Sequence, residues 1–122
     1  HRVGQMPSMT EHIKIRALSG KWSIRAAGAV IAETRGALEL TERGYEPVIY
    51  FLRDDIAMAF LDQTDKTSHC PHKGDASYFS IITKNGPIEN VAWSYETPKE
   101  AVIKIKDHLA FYLNDKITIE QV

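Results

Sequence analysis

Apolar and polar residues alternate along several short segments of this chain, and turn-forming residues separate the segments. Ile13 and Ile15 alternate with charged neighbours, Trp22 and Ile24 alternate with polar ones, and Gly28 ends the second segment. Successive side chains of a β-strand point to opposite faces, so this alternation is typical of strands with one buried face. It predicts a fold of many short strands joined by turns.

Two further segments predict how the strands are arranged. Residues 30–34 and 37–41 flank the dipeptide Arg35-Gly36, which predicts a tight hairpin. Residues 48–51 are apolar on both faces, as in a strand that is covered by protein on both sides. We therefore expect this last strand to lie in the centre of the sheet.

Helix signals occur at two places. Residues 97–100, Thr-Pro-Lys-Glu, combine a threonine N-cap, a proline at the first helical position and a glutamate that completes a capping box. They predict a helix of about three turns. The side chains on its inward face would be Ala101, Val102 and Ile105. Asp54 or Asp55 would cap a short helix directly after the central strand. The predicted fold class is β-rich α+β, with antiparallel strands and these two helices.

The charge and the apolar content exclude two classes of partner. The 15 Lys and Arg residues nearly balance the 16 Asp and Glu residues, so the chain lacks the basic excess of proteins that bind nucleic-acid backbones. The longest apolar run, residues 57–61, is far shorter than the roughly 20 residues that span a bilayer. We therefore expect neither a nucleic-acid partner nor a membrane partner.

Length and cysteine content predict a single cytoplasmic domain. The 122 residues suit one domain with its own core. We expect residues 1–8 to be a tag or a disordered N-terminus and residues 9–122 to form the domain. One cysteine cannot make an internal disulfide, and no apolar signal segment precedes the first strand, which favours a reducing cytoplasm.

Reactive and coordinating side chains are concentrated in residues 63–74, which the sequence predicts to be a long loop. This segment contains His69, Cys70, His72 and Lys73 close to a proline and a glycine. Loops held on a rigid scaffold commonly carry binding and catalytic residues. The segment is therefore the first candidate for a functional site.

The dipeptide Asn85-Gly86 predicts a hairpin that completes this site. In its simplest register Tyr78 lies opposite Trp93, and Tyr95 lies on the same face of the ribbon. This arrangement makes an aromatic wall with the loop lysine at its end, which suits a planar or anionic small molecule. The open alternative is that these aromatic residues only fill the core. The predicted ligand-binding residues are Arg53, Asp55, Cys70, Lys73, Tyr78, Trp93 and Tyr95.

Nearly the whole chain resembles the DUF427 family of small bacterial proteins. The resemblance is carried by residues 50–56 (Tyr-Phe-Leu-Arg-Asp-Asp-Ile), residues 70–76 (Cys-Pro-His-Lys-Gly-Asp-Ala), residues 92–95 (Ala-Trp-Ser-Tyr), Pro98 and residues 109–112 (Leu-Ala-Phe-Tyr). It implies a small cytosolic domain of the β-tent, or Mss4-like, architecture, in which β-sheets lean together over a pocket. The family has no established reaction, although it is also labelled nucleotidyltransferase-like.

The residues give that label little support. Nucleotidyl transfer needs spaced carboxylates that hold magnesium against a triphosphate, but Asp54 and Asp55 are adjacent and would point to opposite faces of a strand. β-tent relatives often bind zinc through two cysteine pairs, and this chain has a single cysteine. We expect no metal and no cofactor.

Three functions remain open from the sequence. The preferred one is a module that binds or senses a planar or anionic small molecule. The second is a small enzyme that acts on such a molecule, with Lys73, Asp55 and Cys70 as candidate acid, base or nucleophile. The third is a structural adaptor.

Overall fold

A computed structural model describes residues 12–122 of the chain, so the prediction for residues 1–8 lies outside the described residues. Short strands dominate this part of the chain, as the alternating sequence predicts. The strands are β1 (Ile13–Ala17), β2 (Trp22–Ala26), β3 (Ala29–Thr34), β4 (Leu38–Glu42), β5 (Val48–Leu52), β6 (Leu61–Cys70), β7 (Gly74–Thr83), β8 (Gly86–Tyr95), β9 (His108–Phe111) and β10 (Ile117–Gln121).

The strands form two antiparallel sheets. One is seven-stranded, with the order β1-β4-β5-β9-β8-β7-β6, and the other is three-stranded, with the order β10-β2-β3. The predicted β-rich antiparallel fold is confirmed. Among residues 12–122, no helix is long and apolar enough to cross a membrane.

Strand β5 is buried on both faces, as its apolar sequence predicts. Phe51 packs with Ile24 and Ile117 of the small sheet in a first core, which lies between the two sheets. Its neighbour Tyr50 packs in a second core with Tyr95 on the other face of the large sheet. Adjacent strand residues point to opposite faces, so one strand serves both cores. It lies inside the seven-stranded sheet, between β4 and β9.

The predicted C-terminal α-helix is wrong. The segment Glu100–Ile105 consists of short 3₁₀ turns that are interrupted by a kink at Val102, whose φ of −124° is not helical, and no side chain caps it. Val102 and Ile105 are buried as predicted, but Ala101 is exposed. Because the kink at Val102 interrupts the helical spacing, the inward face predicted for a regular α-helix is not maintained and Ala101 is left outside.

The predicted short helix after β5 is also wrong. The chain makes two 3₁₀ turns there, Arg53–Asp55 and Met58–Phe60, and no side chain caps either of them. Between the turns Ile56 is extended and forms an isolated bridge with Ala32 of β3. This contact holds the backbone in a β conformation, so an α-helix cannot continue through it.

The predicted hairpin at Arg35-Gly36 is wrong because the chain crosses between the sheets there. Strand β3 pairs with β2 in the small sheet, and β4 pairs with β1 and β5 in the large one. Ala32 is part of the first core and Leu40 is part of the second, so the two strands cover different surfaces. Burial in separate cores outweighed the local turn signal.

The predicted loop 63–74 is instead part of a hairpin. Strand β6 runs to Cys70, a tight turn covers residues 71–73, and β7 begins at Gly74. Strand β6 is at the edge of the large sheet and mostly exposed. An exposed edge strand needs no apolar face, so its polar sequence lacks the alternation that marks the other strands.

Candidate functional site

The β7–β8 hairpin aligns the aromatic residues as the sequence predicts. Tyr78 lies opposite Trp93, and Ala76 lies opposite Tyr95. The turn itself differs from the prediction. The predicted turn residues are Asn85 and Gly86, but Thr83 pairs with Gly86, so that Lys84 and Asn85 form the turn.

A bulge in β8 compensates for the displaced turn. The register shifts between Phe79 and Ile81, so that β8 contains two more residues than β7 over this interval. Asn90 takes a positive φ of 53° in the bulge, its backbone N–H donates to the Ser80 hydroxyl, and its side chain accepts a hydrogen bond from Thr64. The bulge therefore restores the predicted pairing at the aromatic end of the hairpin.

A cavity of about 670 Å³ opens on the side of the large sheet that carries the second core. It falls within the range of 300–1,000 Å³ that is typical of small-molecule sites. Its aromatic lining consists of Tyr45, Tyr50, Tyr78, Trp93, Tyr95 and Tyr112. Its other lining residues are His12, Leu40, Glu42, Glu46, Val48, Cys70, Pro71, His72 and Lys73. Five of the predicted ligand-binding residues thus meet in one cavity: Cys70, Lys73, Tyr78, Trp93 and Tyr95.

The aromatic wall serves both the core and the cavity. Tyr78 and Tyr95 are buried in the second core, with 7% and 6% of their surfaces exposed. Trp93 is half-buried, and its indole N–H donates to the Tyr50 hydroxyl at 3.3 Å. The ring of Tyr112 lies 4.5 Å from the Trp93 ring, centroid to centroid, on the outer side. The two sequence interpretations of these aromatic residues are therefore compatible.

Lys73 reaches the cavity from the β6–β7 turn and pairs with Glu42 of β4. The ammonium Nζ lies 2.9 Å from Glu42 Oε1, and each side chain is only 12% exposed. Burial by itself disfavours the charged form, but hydrogen bonds and charge from Glu42 and Cys70 outweigh it and raise the pKa of Lys73. The lysine is therefore a cation and a hydrogen-bond donor at neutral pH.

Backbone contacts hold this turn in place. The Lys73 N–H donates to the Cys70 carbonyl, and the Lys73 carbonyl accepts from the Lys99 N–H at 3.0 Å. Gly74 has a φ of 115°, and a Cβ built there would lie 3.3 Å from the Thr97 carbonyl oxygen. Only glycine combines that φ with so close an approach at low cost. The segment around Lys99 therefore anchors the turn and positions the lysine.

Histidine side chains stand beside the ion pair. His12 Nε2 lies 3.6 Å from Glu42 Oε2, and the His12 ring meets the His72 ring edge-on at 5.3 Å. Among residues 12–122, no group of three or more His, Cys, Asp or Glu side chains is placed to hold a metal ion. The expectation that no metal binds stays a prediction.

Buried hydroxyl groups complete the polar lining. Burial raises the pKa of Tyr50, and the neighbouring Cys70 and Glu42 add to the effect of burial. Burial also raises the pKa of Tyr95. Both phenols are therefore neutral at physiological pH and present O–H groups to the cavity rather than charges.

Arg53 and Asp55 do not line this cavity, so the structure does not place them with the other predicted ligand-binding residues. Arg53 pairs with Glu96 at 2.7 Å, and its guanidinium lies 5.5 Å from the centre of the Phe79 ring. Asp55 accepts a hydrogen bond from the Thr34 hydroxyl at 2.7 Å. They follow the C-terminal end of β5, whereas the cavity is lined by the start and middle of that strand at Val48 and Tyr50.

Glu42, Tyr50 and Tyr112 line the cavity but are not among the residues predicted from the sequence. Glu42 ends β4, and its proximity to Lys73 depends on how distant strands are ordered in the sheet. Tyr50 lies in the apolar run that predicts the central strand. Its hydroxyl is the one feature of that run that could have indicated a site residue. No local pattern in the sequence marks Glu42.

The comparisons agree with the sequence resemblance. A family model described as a domain of unknown function (DUF427) matches residues 14–122. No curated protein matches the chain. Since the family model covers nearly all of the sequence, the chain belongs to the DUF427 family.

Proposed function

We propose that this domain binds a small planar molecule that presents an acceptor oxygen, as a carbonyl or a carboxylate. The observation that carries this proposal is the cavity in which the aromatic wall and the Lys73 ammonium face the same space. Aromatic side chains favour stacking with a flat ring, and a mostly buried lysine ammonium favours an oxygen acceptor.

The charge balance of the cavity refines the choice of ligand. Glu42 neutralises the charge of Lys73, and Glu46 lies exposed at the rim. An ammonium has three N–H donors, and Glu42 accepts from one of them at 2.9 Å, so donors remain that can serve a ligand. A ligand with one acceptor oxygen fits this arrangement better than a strongly anionic group such as a triphosphate.

Planarity is the first property to test. Isothermal titration calorimetry should show that benzoate binds more tightly than cyclohexanecarboxylate, which has the same charge but no flat ring. Replacing Trp93 by leucine should remove this preference, since stacking on an aromatic face contributes roughly 0.5–1.5 kcal/mol beyond buried area. Equal affinities for the two acids in the parent protein would show that the aromatic wall is only core.

The role of Lys73 is tested with a matched pair of lysine variants. Lys73→Met should weaken benzoate binding at least about ten-fold, because a hydrogen bond to a charged group contributes about 1.5–3 kcal/mol. Lys84→Met removes an exposed lysine at the opposite end of the hairpin and should leave the affinity unchanged. Identical affinities for both variants would refute the assigned role.

Catalysis on such a ligand is the second candidate function. The observation that favours it is Cys70, which lines the cavity beside the Lys73 ammonium. Lys73 would act as a proton donor rather than a base, because its pKa is raised. Asp55 lies away from the cavity, so it has no role in this version. A Cys70→Ser variant that keeps every turnover found with the parent protein would exclude the thiol as nucleophile.

The architecture and location belong to the same proposal. We place the domain in the β-tent, or Mss4-like, class, and the support is two antiparallel sheets that share a core. We place it in the bacterial cytoplasm, where its single, half-buried cysteine stays reduced. Mass spectrometry of protein isolated from its own cells, with thiols alkylated at lysis, would test the redox state.

A further inference from the structure

A second cavity adjoins the first and is lined almost entirely by apolar side chains. Its volume is about 310 Å³. It shares Glu46, Val48, Trp93 and Tyr112 with the first cavity. Its remaining lining residues are Ile24, Pro47, Ile49, Phe111, Leu113 and Ile119. The first cavity is therefore mixed in polarity, whereas Glu46 is the only charged residue among residues 12–122 that lines the second.

The end of β9 explains why the two cavities meet. Strand β9 stops at Phe111, and the following Tyr112 donates its N–H to the Val91 carbonyl at 2.7 Å. The Tyr112 ring lies against Trp93, which faces the first cavity, while Phe111 faces the core between the sheets. The second cavity opens beyond the end of β9. The Trp93 and Tyr112 side chains line both cavities and therefore lie at the boundary between them.

Large apolar side chains are exposed around this boundary. Tyr112 is 47% exposed, Leu113 is 55% exposed, and Tyr45 at the rim of the first cavity is 73% exposed. Solvent-exposed apolar side chains that cluster around a cleft are typical of ligand-binding surfaces. A ligand that extended from the first cavity into the second would cover Tyr112 and Leu113.

We propose that the ligand is amphipathic, with a planar, acceptor-bearing head in the first cavity and a short alkyl or aryl tail in the second. This inference rests on the proposed function, because it assumes that the head binds beside Lys73 and Trp93. It adds the chemical class of the ligand. Two observations support the position of the tail. Val48, Trp93 and Tyr112 line both cavities, and the side chains beyond them in the second cavity are apolar.

The experiment compares benzoate, 4-propylbenzoate and 4-hexylbenzoate by isothermal titration calorimetry. Fully burying one methylene improves affinity about four-fold, so the hexyl compound should bind at least about ten-fold more tightly than benzoate. Leu113→Asn should reduce this ratio several-fold and leave the affinity for benzoate unchanged. Lys73→Met should weaken all three compounds by the same factor and leave the ratio unchanged.

A matched control and an independent measurement separate this effect from unspecific hydrophobic binding. Ile103→Asn removes an apolar side chain that is 50% exposed and lines neither cavity, so it should leave the ratio unchanged. In NMR spectra, the terminal methyl of the hexyl compound should show nuclear Overhauser contacts to the methyl groups of Leu113 and Ile119.

The outcomes distinguish this inference from the proposed function. If benzoate binds but the three affinities are equal, the tail site is wrong and the head site stands. If the hexyl advantage survives Leu113→Asn and no contact to Ile119 is seen, the tail binds elsewhere and the inference is refuted. If none of the three compounds binds, both the head site and the tail site are refuted.

Discussion

The Glu42–Lys73 pair makes a quantitative prediction about stability. Glu42→Gln keeps the shape of the side chain and its acceptor oxygen but removes the charge opposite a lysine that is only 12% exposed. The Lys73 ammonium then stays in place without a counter-charge. We expect the free energy of unfolding to fall by about 2–3 kcal/mol.

This magnitude follows from the geometry of the pair. At 2.9 Å and an effective dielectric constant of about 20, the attraction is about 6 kcal/mol before solvation is counted. Removing both groups from water offsets much of this gain, and charged hydrogen bonds in proteins contribute about 1.5–3 kcal/mol net. The upper part of that range applies because the Lys73 ammonium, which keeps its charge in the variant, is mostly buried.

Urea denaturation provides the measurement, with Glu39→Gln as the matched control. Glu39 lies on the same strand and pairs with Arg16, whose side chain is 70% exposed, so its loss should cost less than about 1 kcal/mol. The double variant Glu42→Gln/Lys73→Met should be more stable than Glu42→Gln alone, because it removes the orphaned charge together with its partner. A loss below about 0.5 kcal/mol for Glu42→Gln, or strictly additive effects in the double variant, would show that Lys73 is a solvated charge.

Four further predictions concern the turn, the helix start, alkaline pH and metal. Gly74→Ala should cost at least about 1–3 kcal/mol and weaken benzoate binding, because its φ of 115° is strained for alanine and the methyl group meets the Thr97 carbonyl; equal urea midpoints would contradict this. Thr97→Ala should change stability by less than about 0.5 kcal/mol, since no side chain caps the 3₁₀ helix that follows, and a larger loss would point to a capping role after all. Stability should fall above about pH 10, because the folded state holds protons on Tyr50, Tyr95 and Lys73 that the unfolded chain loses near 10.0 and 10.5. Each such group adds a slope of up to about 1.4 kcal/mol per pH unit, so Tyr95→Phe should flatten the decline, and an unchanged profile would exclude Tyr95 as a source. Finally, a chelator should leave the melting temperature unchanged, and elemental analysis that finds one zinc per chain would refute this expectation.

The hairpin that carries the aromatic wall shows how far a local signal can determine a site. The sequence predicts strands over residues 76–83 and 88–95, and the pairing of Tyr78 with Trp93 is confirmed. The turn shifts the pairing of the two strands away from the simplest register, and the bulge shifts it back before the aromatic residues are reached. Only burial of one face selects this pairing, since a slip by one residue would turn the aromatic side chains to the other face.

Local patterns in the sequence predict the β-rich class, the doubly buried strand β5 and the proximity of Cys70, Lys73, Tyr78, Trp93 and Tyr95, because strand periodicity and neighbouring turns act over a few residues. The remaining features depend on packing between distant parts of the chain. Competition between two cores split the strands around Arg35-Gly36 into different sheets, and an extended bridge at Ile56 replaced a helix. Lys73 pairs with Glu42, which is 31 residues away in the sequence, and Arg53 pairs with Glu96. Such pairings depend on the order of strands in the sheet, which is set by burial across the whole domain and leaves no local mark in the chain.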